Sequence, residues 1–144
     1  TGGGGVCAAG YNGNAHLNGT YTYVVGSAGA GGKHGYKTGS TSKDGQDGSA
    51  TTIAGLITLG AGKGGTARQK NGGTGTGGAG GVGTKHSNNI LGSITQGVAG
   101  SGSVGGVLNI VSSYGNGGNG KAGSDGGSGK NGYLRIKYLG DYNG

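Results

Sequence analysis

Apolar residues in this 144-residue chain come in short bursts separated by long, polar, glycine-rich stretches. The first burst, TYTYVV at 20–25, sets Tyr21, Tyr23 and Val25 on one side and Thr20, Thr22 and Val24 on the other, which is the two-residue period of a strand. ATTIAGLITL at 50–59 is the first sustained apolar run, and it predicts a strand with Gly55 as a bulge or close-approach site. Shorter apolar stretches follow at 90–95 and 104–114; within the second, VLNIVSSY alternates poorly and leaves its face undecided. Near the C-terminal end, LRIKYL puts Leu134, Ile136 and Tyr138 on one face and Tyr133, Arg135 and Lys137 on the other, the cleanest strand pattern in the chain.

Between these bursts runs a different period. Glycine occupies 26, 29, 32 and 35, then 72, 75, 78 and 81, and finally 117, 120, 123, 126, 129 and 132. A helix repeats every 3.6 residues and a strand every 2.0, so a period of three fits neither. It fits the left-handed extended helix with three residues per turn, in which one edge could be all glycine and so let backbones approach and hydrogen-bond. The sixteen residues 117–132 would make a rod of roughly 50 Å in that form. The expected fold is therefore mostly non-α: a single domain over 1–144 built as a bundle of packed polyglycine II helices, with a minority of short β-strands that cap or clamp it and little or no α-helix. The scaffold glycines are Gly26, Gly29, Gly32, Gly35, Gly72, Gly75, Gly78, Gly81, Gly117, Gly120, Gly123, Gly126, Gly129 and Gly132. The polar stretches at 35–48 and 84–89 read as surface turns, and Arg68 and Lys70 lie in another.

Composition sharpens this picture. Glycine supplies 45 residues, with no proline, tryptophan, methionine or phenylalanine, and an unbroken Gly-X-Y register is missing, which argues against a collagen triple helix. Disorder is the competing reading, because glycine loses the most entropy on folding and only 29% of residues are hydrophobic. An ordered chain would need backbone hydrogen bonds between rods for much of its cohesion. The net charge of +7 is spread without a basic block, so a nucleic-acid partner is not expected, although a diffuse positive field favours anionic surfaces. Cys7 stands alone, which excludes an internal disulfide, and no apolar run is long enough for a membrane span. The start at Thr1 suggests a C-terminal fragment of a longer protein or one small processed chain.

Catalytic chemistry finds little footing. GAGKGGT at 60–66 lacks the phosphate-loop spacing and a following helix, and GxGxxG spacings arise by chance where every third residue is glycine. His16, His34 and His86 are far apart and show no metal-ligand spacing, while Asp44 and Asp47 lie among turn residues that use carboxylates for capping. Enzyme activity, a cofactor and a bound metal are not expected.

Surface recognition remains. Tyrosine, asparagine, serine and glycine suit adaptable binding loops, because tyrosine offers amphipathic area at low entropy cost while the others hydrogen-bond flexibly. The candidate receptor-binding residues are Lys33, His34, Tyr36 and Lys37; Arg68, Gln69, Lys70 and Asn71; Lys85, His86, Ser87, Asn88 and Asn89; with Tyr114 and Asn116 as a fourth set. Solubilising turns without a partner are the plainer alternative for each.

GTYTYVVGSAGAGG at 19–32, a strand falling into a glycine run, resembles the openings of glycine-rich domains in bacteriophage tail-fibre proteins, and GGSGKNGYLRIKYL at 126–139 resembles their closing glycine run and hydrophobic strand. The resemblance implies a tail-fibre tip similar to the T-even-type receptor-binding adhesins, in which polyglycine II rods pack in layers and the loops between them touch the host. Its partners would be a bacterial surface receptor, either an outer-membrane protein or a lipopolysaccharide or other glycan, and the tail-fibre shaft protein. The expected location is the virion, extracellular, in a homo-oligomer such as a trimer. Two alternatives stand beside it: a structural domain or self-assembling filament or virion protein without receptor contact, and an ice-binding protein, since springtail antifreeze proteins share period-three glycine but carry several cysteines.

Overall fold

The computed structural model describes residues 8–33, 43–66, 76–100, 105–108, 115–119 and 127–142. Among them there is no α-helix, and six short strands form two antiparallel sheets. Strands β1 (Gly10–Tyr11) and β6 (Ile94–Thr95) make a pair, with Gly10 opposite Thr95. Strands β2 (Tyr23–Val24), β3 (Thr51–Ile53), β4 (Ile57–Leu59) and β5 (Gly83–Lys85) form a four-stranded sheet in that order. Its registers set Tyr23 opposite Ile53, Ile53 opposite Ile57, and Ile57 opposite Lys85.

The apolar run at 50–59 is thus a hairpin rather than one strand. Gly55 is its turn, at φ 71°, a left-handed conformation that side chains resist. Folding the run back on itself lets Leu56 and Ile57 bury together with Ile90, and Tyr11, Tyr21, Ile53, Leu59 and Ile94 pack around them. This small core sits where the two sheets meet.

Much of the remaining described chain is extended and held by backbone bonds that recur every third residue. Between 26–33 and 43–49, the amides of Lys43, Gln46 and Ser49 donate to the carbonyls of Lys33, Ala30 and Ser27 at 2.9–3.0 Å. The opposite side of 43–49 is bonded in turn, Gly45 and Gly48 donating to Gly65 and Gly62 at 2.9 and 3.3 Å. Gly60, Lys63 and Thr66 donate to Val82, Ala79 and Thr76, and Gly97 to Gly81. On the far side of 26–33, Gly129 and Gly132 donate to Gly29 and Gly26, and Gly127 and Lys130 to Asn119 and Asn116; Gly117 then donates to Gly106. Each partner number falls as the donor number rises, so every neighbour is antiparallel. The resulting order is 97–100, 76–82, 60–66, 43–49, 26–33, 127–132, 115–119, 105–108.

The glycine spacing has its reason in this contact. A Cβ built on Gly29 would lie 2.0 Å from the Gln46 carbonyl oxygen, and one on Gly64 2.0 Å from that of Gly45. No side chain fits there, and in 76–82 two positions of each triplet are closed, a Cβ on Gly80 meeting the Gly97 carbonyl oxygen and one on Gly81 lying 2.0 Å from that of Gly60. Of the predicted scaffold glycines, Gly26, Gly29, Gly32, Gly78, Gly81, Gly117, Gly129 and Gly132 lie in bonded segments or at their ends; Gly35, Gly72, Gly75, Gly120, Gly123 and Gly126 lie outside the described residues.

Three expectations change. Residues 43–48, read from sequence as part of a surface loop, and 60–66, given no element there, are central members of the array, because glycines at 45, 48 and 64 suffice to admit neighbours without an uninterrupted triplet register. Residues 83–85, read as the end of a glycine run and the start of a polar turn at 84–89, form β5, whose backbone completes the pairing of β4. Finally, 133–142 has no strand, despite its alternation; Ile136, Tyr138 and Leu139 are all exposed.

Candidate functional site

The antiparallel order gives the molecule two ends. Lys33 and Lys43 exchange paired backbone bonds at 3.0 Å, closing the array at the same end as the Thr66–Thr76 and Asn119–Gly127 bonds. Segments 34–42, 67–75 and 120–126 each join residues at this end. The two sheets and the apolar core occupy the other.

Seven of the candidate residues, His34, Tyr36, Lys37, Arg68, Gln69, Lys70 and Asn71, lie outside the described residues, as does Tyr114. Lys33 is described, and is exposed at the end it helps to close. Thr66 and Thr76 brace the base of 67–75: their hydroxyls are 2.7 Å apart, and the Thr76 amide donates to the Thr66 hydroxyl at 3.0 Å.

The third candidate set belongs to the opposite end. Lys85 lies at the end of β5, and its ammonium donates to the carbonyls of Gly92 at 2.5 Å and Ile90 at 3.4 Å, closing the turn beneath it. The His86 amide donates to Leu56, and its Nε2 is 2.9 Å from the Thr58 hydroxyl on β4. Ser87 accepts the Asn89 amide on its hydroxyl at 3.1 Å, and the Asn89 carbonyl takes the His16 amide at 2.9 Å. Lys85 and His86 are thus largely occupied in shaping the turn, while Asn88 and Asn89 remain exposed on it. Sequence reasoning grouped 85–89 with the other sets because charge and turn composition look alike at both ends; only the strand pairing separates them.

Asn116 is half-buried within the array, its side-chain oxygen taking the Leu108 amide at 2.8 Å. Asn119 and Asn131 do the same for the amides of Gly105 and Ala28 at 2.8 and 2.9 Å. These asparagines add side-chain carbonyl acceptors between segments that are also bonded directly, by Gly129 and Gly132 to Gly29 and Gly26 and by Gly117 to Gly106. A displayed binding residue and a bracing one carry the same letter, so composition alone does not tell them apart.

One polar pairing was missed as such. The Asp47 carboxylate accepts from the Lys63 ammonium at 2.7 Å and from the Gly64 amide at 2.8 Å, tying 43–49 to 60–66. These bonds, with the Lys63 side-chain bond first, hold its pKa below the usual carboxylate range. Sequence reading made Asp47 a turn cap; the signal available was an acid near a glycine run facing a lysine in a second such run.

A cleft of about 910 Å³ is lined by core residues such as Ile53 and Leu59, by the extended segments as far as Gly32, Gly65 and Gly127, and by Leu134 and Ile136 of the 133–142 segment. The far end of the segment is tied down by Tyr142, whose ring stacks on His16 at 3.5 Å between centroids. Tyr138 donates to Asp141 at 2.5 Å. Among the described residues no three His, Cys, Asp or Glu side chains converge on a metal position, and no helix is long and apolar enough to cross a membrane. No family model, curated protein or solved structure matches this chain.

Proposed function

We propose that this chain is the host-receptor-binding tip of a bacteriophage tail fibre, a virion protein whose extended segments are polyglycine II rods. The rods are supported by the three-residue interval of the backbone bonds, since a helix of three residues per turn returns the same side to a neighbour at every third position. The observation that carries the function is the segregation of connections: Lys33, Lys43, Thr66, Thr76, Asn119 and Gly127 stand together at the end away from the apolar core. A braced array with polar connections on one end suits a surface that must hold adaptable loops in fixed relative positions.

The chemistry of the connecting segments favours an anionic receptor. Between them, 34–42, 67–75 and 120–126 carry His34, Lys37, Arg68, Lys70 and Lys121 against a single Asp125. Phosphorylated lipopolysaccharide or an acidic glycan would be drawn to that end, and the attraction would weaken with salt. Lys85 and His86, at the opposite end and engaged in their own turn, are left out of the contact.

The test is adsorption of the purified chain to host cells. Combined substitution K37A, R68A and K70A is expected to reduce adsorption at least tenfold with an unchanged melting temperature, while K85A with H86A leaves adsorption intact. Normal adsorption by the triple variant, with particle assembly lost when 127–132 is deleted, would replace this reading with that of a structural virion domain.

A further inference from the structure

Glycine follows asparagine seven times in this chain, at Asn12, Asn18, Asn71, Asn116, Asn119, Asn131 and Asn143. In such a pair the side-chain amide closes readily on the backbone, because glycine carries no Cβ to shield the attacking nitrogen. The fold sorts the pairs from one another. We propose that Asn18 is a self-modification site, where the Asn18–Gly19 unit cyclises and hydrolyses to aspartyl and isoaspartyl forms, and that the Tyr21 hydroxyl promotes the reaction.

In the first step the Gly19 backbone nitrogen attacks Cγ of Asn18. The new N–Cγ bond forms as the Cγ–Nδ2 bond breaks, and Nδ2 leaves as ammonia with the proton that Gly19 gives up. Water from the solvent then adds to either carbonyl of the five-membered imide and breaks its bond to nitrogen. One product keeps the original main chain with a carboxylate on residue 18, and the other routes the main chain through the side chain. Either one removes a unit from the net charge of +7.

Room for this chemistry exists at residue 18. Asn18 and Gly19 are both exposed, Gly19 stands at φ 103°, and nothing among the described residues lies within 4 Å of where its Cβ would be. Tyr21 supplies the activation. Its hydroxyl donates to the Asn18 carbonyl at 2.8 Å. That carbonyl and the Gly19 nitrogen share one peptide unit, so charge left on the nitrogen when its proton departs spreads to an oxygen that already has a donor in place. The Asn18 amide donates to the same hydroxyl at 3.3 Å, which strengthens the hydroxyl as a donor.

Elsewhere the geometry opposes closure. The Gly117 and Gly132 amides donate to Gly106 and Gly26 at 3.0 and 2.9 Å, and the side-chain oxygens of Asn116 and Asn131 accept from Leu108 and Ala28 at 2.8 and 2.9 Å. Closing either ring pulls two bonds of the array apart. At Asn12 the following turn is crowded, since a Cβ on Gly13 would lie 2.7 Å from the Tyr11 hydroxyl and 2.9 Å from the Leu91 carbonyl oxygen. The pairs at Asn71, Asn119 and Asn143 include residues outside those described.

Peptide mapping by mass spectrometry, on the whole folded chain held in mildly alkaline buffer, tests the proposal. Asn18 is expected to convert at least about tenfold faster than Asn116 and Asn131, to a mixture of aspartyl and isoaspartyl forms. Y21F keeps the ring that packs against the core and removes only the donor. In that variant conversion at Asn18 is expected to slow about fivefold, with the rate at Asn12 and the melting temperature unchanged. The sign is diagnostic, because a tyrosine that merely braced the turn would, when lost, loosen 18–21 and speed the conversion. Equal rates at Asn18, Asn116 and Asn131 would overturn the site. An unchanged or faster rate in Y21F would overturn the part given to Tyr21.

Discussion

Placing a side chain on Gly29 probes the array most directly. Its Cβ would sit 2.0 Å from the Gln46 carbonyl oxygen, where ordinary contact begins at 3.4 Å, so the two segments must separate by about 1.4 Å. The Gln46 amide donates to Ala30 at 2.9 Å immediately beside this point, and the Gly29 carbonyl accepts from Gly129 at 3.1 Å on the other flank. A shift of that size carries at least one of these beyond hydrogen-bonding range, at about 1 kcal/mol each. Forced overpacking adds roughly 1–3 kcal/mol. G29V should therefore destabilise by about 3 kcal/mol, a large share of the roughly 5–15 kcal/mol available to a domain. The control is A30V, one residue on, where the side chain is exposed and the change should stay within about 0.5 kcal/mol. Thermal unfolding followed by circular dichroism should separate the two variants by about 10 °C. If they melt within 2 °C of each other, close backbone approach is not what holds the array.

Further outcomes follow from single residues. The φ of 71° at Gly55 makes G55V costly by about 1–2 kcal/mol and G55N much milder, as chemical denaturation should show. Asp47 has a lowered pKa, so its tie to Lys63 and Gly64 is fully present above the unfolded carboxylate value and lost as pH falls through the folded one. Both side chains of that pair are at least half exposed, so the loss is under about 1 kcal/mol, and the acid limb of the stability profile should flatten slightly in D47N. Tyr11 moves the other way. Burial raises its pKa, and its hydroxyl donates to the carbonyls of Asn14 and Leu91. Its contribution is intact below the unfolded value near 10 and is lost as pH rises through the folded one, so Y11F should be less sensitive to alkali than the parent in a pH-dependent melt.

Much of the local character of this chain was legible without coordinates. Triplet glycine at 26–32 marked a segment whose every third position admits no side chain, because that constraint is written at the residue itself. Absence of helix among the described residues followed equally, since nothing in the chain repeats at 3.6 residues and nearly a third of it is glycine. The strand at Tyr23–Val24 was visible in its alternation for the same reason, that period is local. What no local pattern carries is partnership. Whether 43–49 is a loop or a central segment depends on Ala30 and Gly62 arriving on its two sides. Whether Asn116 displays or braces depends on where the Leu108 amide stands. The run at 50–59 reads locally as one strand, and it is two because Ile57 pairs with Ile53 and Lys85 and buries against Ile90. The antiparallel order alone put Lys33 and Lys85 at opposite ends, because direction along an array is fixed by long-range hydrogen bonds between segments, and these have no signature in the residues that make them.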